Sequence, residues 1–555
     1  MFHARTGWRH QTSIVALCVG GLGGAQAAGT APDAGQILPL LPGSQIKPTT
    51  PEPRVPLVVE PSATSLPTPT SDARVSVSRL KITSNTLFSE THLLDVLGDA
   101  APARALSREF SFADLQALAA RITAYYKAQG YLLAYAYLPA QDVLEGQVEI
   151  AVLEGRVSAV QLTNPSRHRD AAVRATLANI QLDAPLYNPV LERSLLLLSD
   201  LPGSTVQATL KPGASVGTSE LDIEVRDQPG RGMLSGDTSI DNQGGHATGE
   251  YRVGVGINLS SPLHLGDTLD MRLLGAGKGF HYGRVAWQVP VGNDGLKLGL
   301  AGSSMDYRLQ EDFAALQAHG SATTIGAYLL YPVIRSRFTN VNAQLSYDRT
   351  KTNDRTDSTG SRTTKALGVT QAGLSGSFYD GLGGLNVGVL NLVMGQLSVD
   401  SNDRGSYTKT GFQLGRTQRL SDAWQLRGQL SGQLAQRDLP SSEKFSLGGA
   451  QAVRAYPQGE APTDDGWLMT LELGYLFAPQ WQALLFRDEA QGKAEHALGT
   501  ASGNERRLCG YGLGINFSGT AGLSLQASVA WRSTDAPASE ADRVPRSWVR
   551  LVQAF

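Results

Sequence analysis

The chain has 555 residues, 18% of them charged, and a formal net charge of −2. A nucleic-acid-binding protein would show a basic patch or a high isoelectric point, so this balance argues against nucleic acid as a partner. Of the two cysteines, Cys18 falls in a segment that we expect to be removed, so the mature chain holds only the thiol of Cys509 and no intramolecular disulfide.

Residues 1–27 have the features of a secretory signal peptide. Arg5 and Arg9 give a positive start, an apolar stretch runs from Ile14 to Leu22, and Ala25-Gln26-Ala27 forms a small-residue cleavage site. The alternative is a buried N-terminal helix. No later stretch approaches the roughly 20 apolar residues of a membrane-spanning helix. The exported chain is therefore expected to be either soluble or a β-barrel.

Residues 28–74 are predicted to contain a short helix and a proline-rich linker. Ten of the 27 prolines lie between residues 32 and 70, and such a stretch cannot build a core and favours an extended linker. The segment from Asp33 to Leu41 can form a helix, which Pro39 and Pro42 limit to about two turns.

Residues 75–154 and 155–229 share one predicted order of elements: strand, helix, helix, strand, strand. In the first unit the longer helix runs from Ser111 to Gln129, and Gly130 is placed to end it. In the second unit helices are predicted at Asp170 to Leu177 and at Asn188 to Leu198. Each unit has about 75 residues, which is enough to fold alone. The sequence thus predicts two small α/β domains in tandem.

Residues 230–555 alternate apolar and polar residues with a period of two. In Tyr251 to Leu259, for example, the odd positions are apolar and the even positions are polar or glycine. Segments of nine to eleven residues match a tilted strand that crosses a bilayer, and backbone groups in lipid must pair within a closed sheet. At about 20 residues per strand and loop, the region predicts about sixteen antiparallel strands. Aromatic residues near segment ends predict two interfacial girdles: Tyr251, Trp424, Trp467, Tyr475, Phe477, Trp481, Phe517, Trp531 and Trp548.

No catalytic or metal-binding motif emerges, and we expect neither an enzyme nor a cofactor. The nine histidines are scattered without metal-ligand spacing. Gly510-Tyr511-Gly512-Leu513-Gly514 continues into Ile515-Asn516-Phe517 without a helix, which favours a strand with a glycine face over a dinucleotide turn.

Several motifs together resemble the two-partner secretion transporters, the haemolysin secretion/activation family of the outer-membrane assembly superfamily. The residues that carry this resemblance are Tyr125 to Tyr131, Pro139, Gly146, Glu154-Gly155, Leu201-Pro202-Gly203, Lys211-Pro212-Gly213, Asp241 to Gly244, Thr248-Gly249 and Gly266-Asp267. The resemblance implies two polypeptide-transport-associated (POTRA) domains in the periplasm, followed by an outer-membrane barrel.

The most informative stretch runs from Phe445 to Pro457 and resembles the superfamily's inward-folded loop motif, V-R-G-[YF]. Its residues here are Val453, Arg454 and Tyr456, with alanine at position 455 where the motif has glycine. Phe486 and Asp488 resemble the F-x-D motif of a barrel-wall strand; the glycine that usually follows is Ala490. The resemblance implies that Asp488 holds Arg454, since a partly desolvated bidentate pair is strong and directional.

The implied function is transport of a secreted exoprotein, an adhesin, haemolysin or toxin with an N-terminal secretion domain, through the barrel. The POTRA units would recognise it by strand addition, and the Asp33 to Leu41 segment would occupy the lumen at rest. Other expected partners are outer-membrane lipids and, during biogenesis, the barrel assembly machinery. The alternatives are an assembly factor of the same superfamily, which usually has more POTRA units, and a diffusion porin, which would lack them and both motifs.

Overall fold

The computed structural model describes residues 31–41, 57–59, 74–98, 108–143, 145–230, 232–400, 402–534, 536–540 and 543–555. The predicted signal peptide and most of the proline-rich linker lie outside these ranges. A short helix, α1 (Ala34–Ile37), is capped by the Asp33 side chain, which accepts from the backbone N–H of Gln36. A 3-10 turn at Leu38–Leu40 follows. None of the helices in the described ranges is long and apolar enough to cross a membrane.

The linker contributes a strand that the sequence did not predict, β1 (Leu57–Val59). The first α/β unit follows it. Its elements in chain order are β2 (Arg74–Val77), β3 (Arg79–Thr83), α2 (Glu90–Leu97), β4 (Arg108–Ser111), α3 (Phe112–Ala128), β5 (Tyr135–Tyr137) and β6 (Gln147–Leu153). Helix α3 begins with a capping box between Ser111 and Asp114, and Gly130 beyond its end has a φ of 93°.

Two residues of the POTRA-like motif meet in the core of the first unit. The Tyr126 hydroxyl donates to the buried carboxylate of Glu154 at 3.1 Å. Burial, with this carboxylate beside it, raises the pKa of Tyr126 well above its usual value. Glu154 also accepts from the backbone N–H groups of Thr86 and Leu87, so it fixes the loop before α2 to the end of β6.

The second unit consists of β7 (Arg156–Thr163), α4 (Asp170–Leu177), α5 (Asn188–Ser199), β8 (Ser204–Pro212) and β9 (Thr218–Asp227). Its sheet has the order β1-β8-β9-β7, because the linker strand β1 pairs in parallel with β8. The sequence after α3 also predicts a strand from Leu132 to Leu138, of which the structure forms only β5. Leu132 and Leu133 instead pack against the core of the second unit and form the joint between the two units.

The remaining chain forms one closed barrel of sixteen antiparallel strands, in which β10 and β27 close the ring. Its strands are β10 (Leu234–Asp241), β11 (Arg252–Ser260), β12 (Thr268–Ala276), β13 (Phe280–Val291), β14 (Leu296–Arg308), β15 (Ala318–Arg335), β16 (Thr339–Thr356), β17 (Ser361–Tyr379), β18 (Leu385–Val399), β19 (Asn402–Arg419), β20 (Trp424–Ala435), β23 (Asp465–Ala478), β24 (Trp481–Lys493), β25 (Glu505–Ser518), β26 (Leu523–Arg532) and β27 (Arg546–Ala554). The short strands β21 (Phe445–Ser446) and β22 (Pro462–Thr463) lie in the loop between β20 and β23.

The expectation of nine- to eleven-residue strands is wrong for most of the barrel. Only β11, β12, β26 and β27 have that length, whereas β15, β16, β17 and β19 have 18 or 19 residues. A tilted strand of about ten residues already spans the hydrocarbon layer. The long strands therefore continue well beyond the membrane at the end far from the α/β units.

Large apolar side chains cover the outside of the barrel, as the alternation predicts. Exposed examples on consecutive strands are Leu300, Ile325, Leu345, Leu374, Leu390 and Leu414. The girdle assignment is wrong for Trp548, which is only 5% exposed and faces the lumen. Its strand places Val549 and Leu551 outside, so Trp548 shares the inner face with Arg550.

The second unit is docked on the barrel rim through paired charges. Arg335 donates twice to Asp200 at 2.8 and 3.0 Å, and Arg337 donates to Glu192 at 3.0 Å. Arg193 donates in the opposite direction, from the unit to Asp294 of a barrel turn at 2.9 Å. Gly295 in that turn has a φ of 83°, and a Cβ there would lie 2.6 Å from Leu197. Glycine thus lets α5 approach the rim closely.

Candidate functional site: an arginine-anchored loop inside the barrel

The loop between β20 and β23, residues 436–464, folds back into the barrel instead of extending away from it. The two-stranded ladder β21–β22 forms its stem. At its tip Gly448 pairs with Val453, and the chain turns at Gly449 with a φ of 138°. A side chain at Gly449 would be strained and would meet Gln458. This tight tip presents residues 453–456 to the barrel wall.

Arg454 is the polar anchor of this inward loop. Its guanidinium donates to both carboxylate oxygens of Asp488 on β24, at 2.8 and 2.7 Å, and to Glu472 on β23 at 2.7 Å. Its backbone N–H also donates to Asp488, and its guanidinium carbon lies 3.4 Å from the centre of the Phe486 ring. Asp488 is fully buried. One arginine therefore satisfies a desolvated carboxylate, a second carboxylate and an aromatic face.

The loop tip also has an apolar seat on β23–β26. Val453, Ala455 and Tyr456 are buried and pack against a cluster that includes Phe486 and Ala490. The alanine at position 455 does not adopt positive φ. Its methyl group lies where a Cβ at Gly510 would be only 2.7 Å away. The glycine face of β25 therefore makes the room that this larger tip residue needs.

Further polar contacts join the loop to β25, to β27 and to the segment between β26 and β27. The Trp548 indole N–H donates to the backbone carbonyl of Arg454 at 2.8 Å. The Tyr456 hydroxyl lies 2.9 Å from the Thr534 hydroxyl, and buried Glu460 accepts from Arg506 at 3.1 Å. The loop base is held by Lys444, which is 2.8 Å from the buried carboxylate of Asp464. The inward loop is thus fixed by hydrogen bonds and ion pairs along its whole length.

Helix α1 also lies in the lumen, between the inward loop and the barrel wall. Asp33 pairs with Lys365 of β17 and accepts from the Ser441 hydroxyl at 3.0 Å. The backbone N–H of Ala34 donates to Asp354 of β16 at 3.0 Å. Ala34 and Ile37 are buried among wall residues of β12–β15. A Cβ at Gly35 would lie 2.1 Å from the Ser441 hydroxyl oxygen, so helix and loop are in direct contact.

The structure brings together all five residues that the sequence predicts for the site: Val453, Arg454, Tyr456, Phe486 and Asp488. Sequence reasoning missed Glu472, the second carboxylate on Arg454. Glu472 pairs in register with Phe486 and lies between Leu471 and Leu473 in an alternating strand. The sequence did contain a signal for Glu472, because the alternation of β23 places this acid on the inner face of the strand next to β24.

The comparisons with known proteins agree on the class of protein to which this chain is similar. The family described as "Haemolysin secretion/activation protein ShlB/FhaC/HecB" matches residues 217–517, and the ShlB-type POTRA domain matches residues 75–155. A heme/hemopexin transporter protein, HuxB of Haemophilus influenzae, is 28% identical over 471 residues, which cover 81% of this chain and 82% of HuxB.

Solved structures share the fold. CdiB from Escherichia coli superposes with a TM-score of 0.71 at 17% identity, covering 89% of this chain and 93% of CdiB. CdiB from Acinetobacter baumannii gives 0.66 at 17% identity and covers 92% and 93%. Fold and site together define an outer-membrane β-barrel that carries periplasmic POTRA domains. The chain belongs to the haemolysin secretion/activation (ShlB/FhaC/HecB) family of two-partner secretion transporters.

Proposed function

We propose that this protein recognises an unfolded exoprotein in the periplasm through its POTRA units and conducts it through the barrel to the cell surface. The observation that carries the proposal is the filling of the lumen. Helix α1 and the inward loop are two separate segments, each seated on its own apolar cluster and anchored by ion pairs and hydrogen bonds. Two separate segments can leave the lumen for a passing chain, whereas one continuous apolar core cannot. Folding of the partner outside biases its movement outward.

The first unit offers an edge for recognition by strand addition. Its sheet has the order β3-β6-β5, so among the described residues β5 is paired on one side only. In the second unit the corresponding strand, β8, is already covered by β1. Tyr135 and Tyr137 of β5 stack at 6.4 Å between ring centres, and Tyr135 is exposed. An extended partner segment would add to β5 through backbone hydrogen bonds, with apolar side chains against this tyrosine pair.

A disulfide between helix and loop tests the proposal. The pair Asp33→Cys and Ser441→Cys, in a Cys509→Ala background, is chosen because these two side chains meet at 3.0 Å. A large exported, repeat-rich protein encoded in a neighbouring reading frame serves as cargo, and its surface-exposed fraction is measured by protease accessibility. Oxidation should stop secretion and reductant should restore it, with the reduced form of the same double variant as the control. Secretion that continues with the disulfide formed would exclude displacement of α1 from the mechanism.

A second candidate, insertion of other barrels into the membrane, is favoured by one feature. The seam between β10 and β27 has only five residue pairs, whereas every other neighbouring pair of barrel strands has at least eight. Ser239 and Val552 face each other there. Because Gly236 and Phe555 exchange both backbone hydrogen bonds, alternation makes Ser239–Val552 a non-hydrogen-bonded pair with close Cβ atoms.

The pair Ser239→Cys and Val552→Cys therefore locks the seam and separates the two candidates. A secretion channel that works through its lumen keeps full secretion after oxidation. An assembly factor that opens at the seam loses its ability to insert barrels, measured as the yield of heat-modifiable porins. The reduced form of the same variant is the control.

A further inference from the structure

Six basic side chains cluster on the outward face of β14–β17, at the extracellular end of the barrel. We call them the outer basic patch: Arg308, His319, Arg349, Lys351, Arg355 and Arg362. They stand on the same face as the exposed apolar residues Leu300, Ile325, Tyr347 and Leu374, further down the same strands. The patch therefore directly continues the lipid-facing surface.

Four of these residues form one row across four strands. Arg308 is in register with His319, His319 with Arg355, and Arg355 with Arg362. Directly opposed residues have Cβ atoms about 5 Å apart, and like charges in such positions destabilise a sheet. The directly opposed guanidinium groups of Arg355 and Arg362 are therefore unfavourable unless an anion lies over them.

Within the described residues, none of the five Arg and Lys side chains of the patch makes an ion pair. The acidic groups at its edge are Asp306, Asp357 and, in the loop between β14 and β15, Glu311 and Asp312. Asp357 lies 3.7 Å from His319, and Asp312 lies 3.9 Å from His246 outside the patch. The arginines and the lysine are exposed. Their charges are thus available to an external anion.

The level of the patch relative to the membrane follows from Tyr347. A Cβ at Gly368 would lie 3.2 Å from the Tyr347 hydroxyl oxygen, and Gly368 is in register with Arg349. The phenol group therefore reaches the height of Arg349. Because tyrosine marks the membrane–water interface, Arg349 and Lys351 stand at the level of lipid head groups.

The upper row stands well above that level. Arg355 is six residues beyond Arg349, about 20 Å along the strand and about 15 Å along the membrane normal at the usual barrel tilt. A phospholipid head group with one phosphate is too small to reach both levels. A glycolipid with phosphates near its acyl chains and further anionic groups on its sugars matches both.

We propose that the outer basic patch binds a multiply phosphorylated glycolipid of the outer leaflet. Arg349 and Lys351 hold the phosphates next to the acyl chains, and Arg355 and Arg362 hold the anionic sugars above them. Arginine suits this task because its planar fork matches phosphate and carboxylate geometry. Basic clusters on membrane proteins at head-group level are typical sites for anionic lipids.

The test uses the full-length protein in phosphatidylcholine nanodiscs containing lipopolysaccharide, phosphatase-treated lipopolysaccharide or neither. The variant Arg349→Gln, Lys351→Gln, Arg355→Gln, Arg362→Gln removes the patch. The control is Arg487→Gln with Arg507→Gln, two outward arginines on β24 and β25, of which Arg507 pairs with Glu489. Lipid bound per barrel is measured by native mass spectrometry, and heat-modifiable gel mobility reports folding.

The patch variant should bind lipopolysaccharide at least about tenfold more weakly than the parent, because each basic group at the surface contributes on the order of 1 kcal/mol. The control should bind like the parent. Removing the phosphates should weaken binding to the parent, and inorganic phosphate should not compete. Unchanged binding by the folded variant, binding that ignores the phosphates, or competition by inorganic phosphate would overturn the proposal. The double variants Arg349→Gln with Lys351→Gln and Arg355→Gln with Arg362→Gln serve if the fourfold variant does not fold.

Discussion

Replacing Arg454 by alanine removes the only group that neutralises the buried Asp488 in the described structure. The pair is bidentate, and Asp488 has no exposed surface. Breaking such a pair from one side costs about 3–5 kcal/mol, because a charge is left buried without a partner. Each 1.4 kcal/mol is a factor of ten, so the seated position of the inward loop should become about a hundredfold to several thousandfold less favoured.

Alanine substitutions at Arg454, Asp488 and Glu472 should weaken the seating of the inward loop to different extents. Asp488→Ala should weaken the loop less than Arg454→Ala, because Arg454 keeps Glu472 at 2.7 Å. Glu472→Ala should have the smallest effect, since the bidentate pair survives. The double variant Arg454→Ala with Asp488→Ala should recover part of the loss, because no buried charge remains unpaired.

Tryptophan fluorescence provides the assay. The Trp548 indole donates to the carbonyl of Arg454, so its emission reports whether the loop tip is seated. The contribution of Trp548 is obtained for each variant by subtracting the emission of the same variant with Trp548→Phe. Arg454→Ala should red-shift the Trp548 contribution and abolish secretion, while heat-modifiable mobility shows an assembled barrel. Parent-like emission and secretion in Arg454→Ala would refute the anchoring role of this residue.

Three further outcomes are expected. Asp33→Ala removes the cap of α1 and its contacts with the wall and the loop, so single-channel conductance in planar bilayers should rise. Asp200→Ala removes the carboxylate that accepts two hydrogen bonds from the buried guanidinium of Arg335, while the bond to Asn340 stays. Loss of the opposite charge destabilises the docked unit and should speed its hydrogen exchange. Burial lowers the pKa of His168 below 6.5, with Arg167 adding to the shift and Asp227 opposing it. Protonation is then harder in the folded unit, so stability relative to a His168→Asn variant should fall as the pH drops below about 6.5; a flat difference would contradict this.

The barrel could be predicted from the sequence because lipid outside and water inside force each strand to alternate. The site could be predicted only in part. Arg454 and Asp488 stand in motifs, whereas Glu472 acquires its role from the register between β23 and β24. Trp548 was wrongly assigned to the girdle because only its aromatic side chain was considered. Alternation in its strand puts Trp548 on the same face as Arg550, which is the inner one.

Other elements had no local signal at all. Strand β1 is three residues of a proline-rich segment, and only the free edge of β8 makes it a strand. The contacts of Asp33 join positions more than 300 residues apart. Pairings of this kind depend on the closed barrel and on what lies inside it, so no window of sequence contains them.

The crossed charges of the rim give the second unit a unique angular setting. The unit supplies Asp200, Glu192 and Arg193, and the barrel supplies the three opposite charges. Turning the unit about the barrel axis would bring Arg193 towards the arginines of β15 and the following turn, where repulsion replaces attraction. A domain grafted from a relative will therefore dock correctly only if it carries acidic and basic residues at the same positions. Motion of the periplasmic region is then concentrated at the joint between the two units.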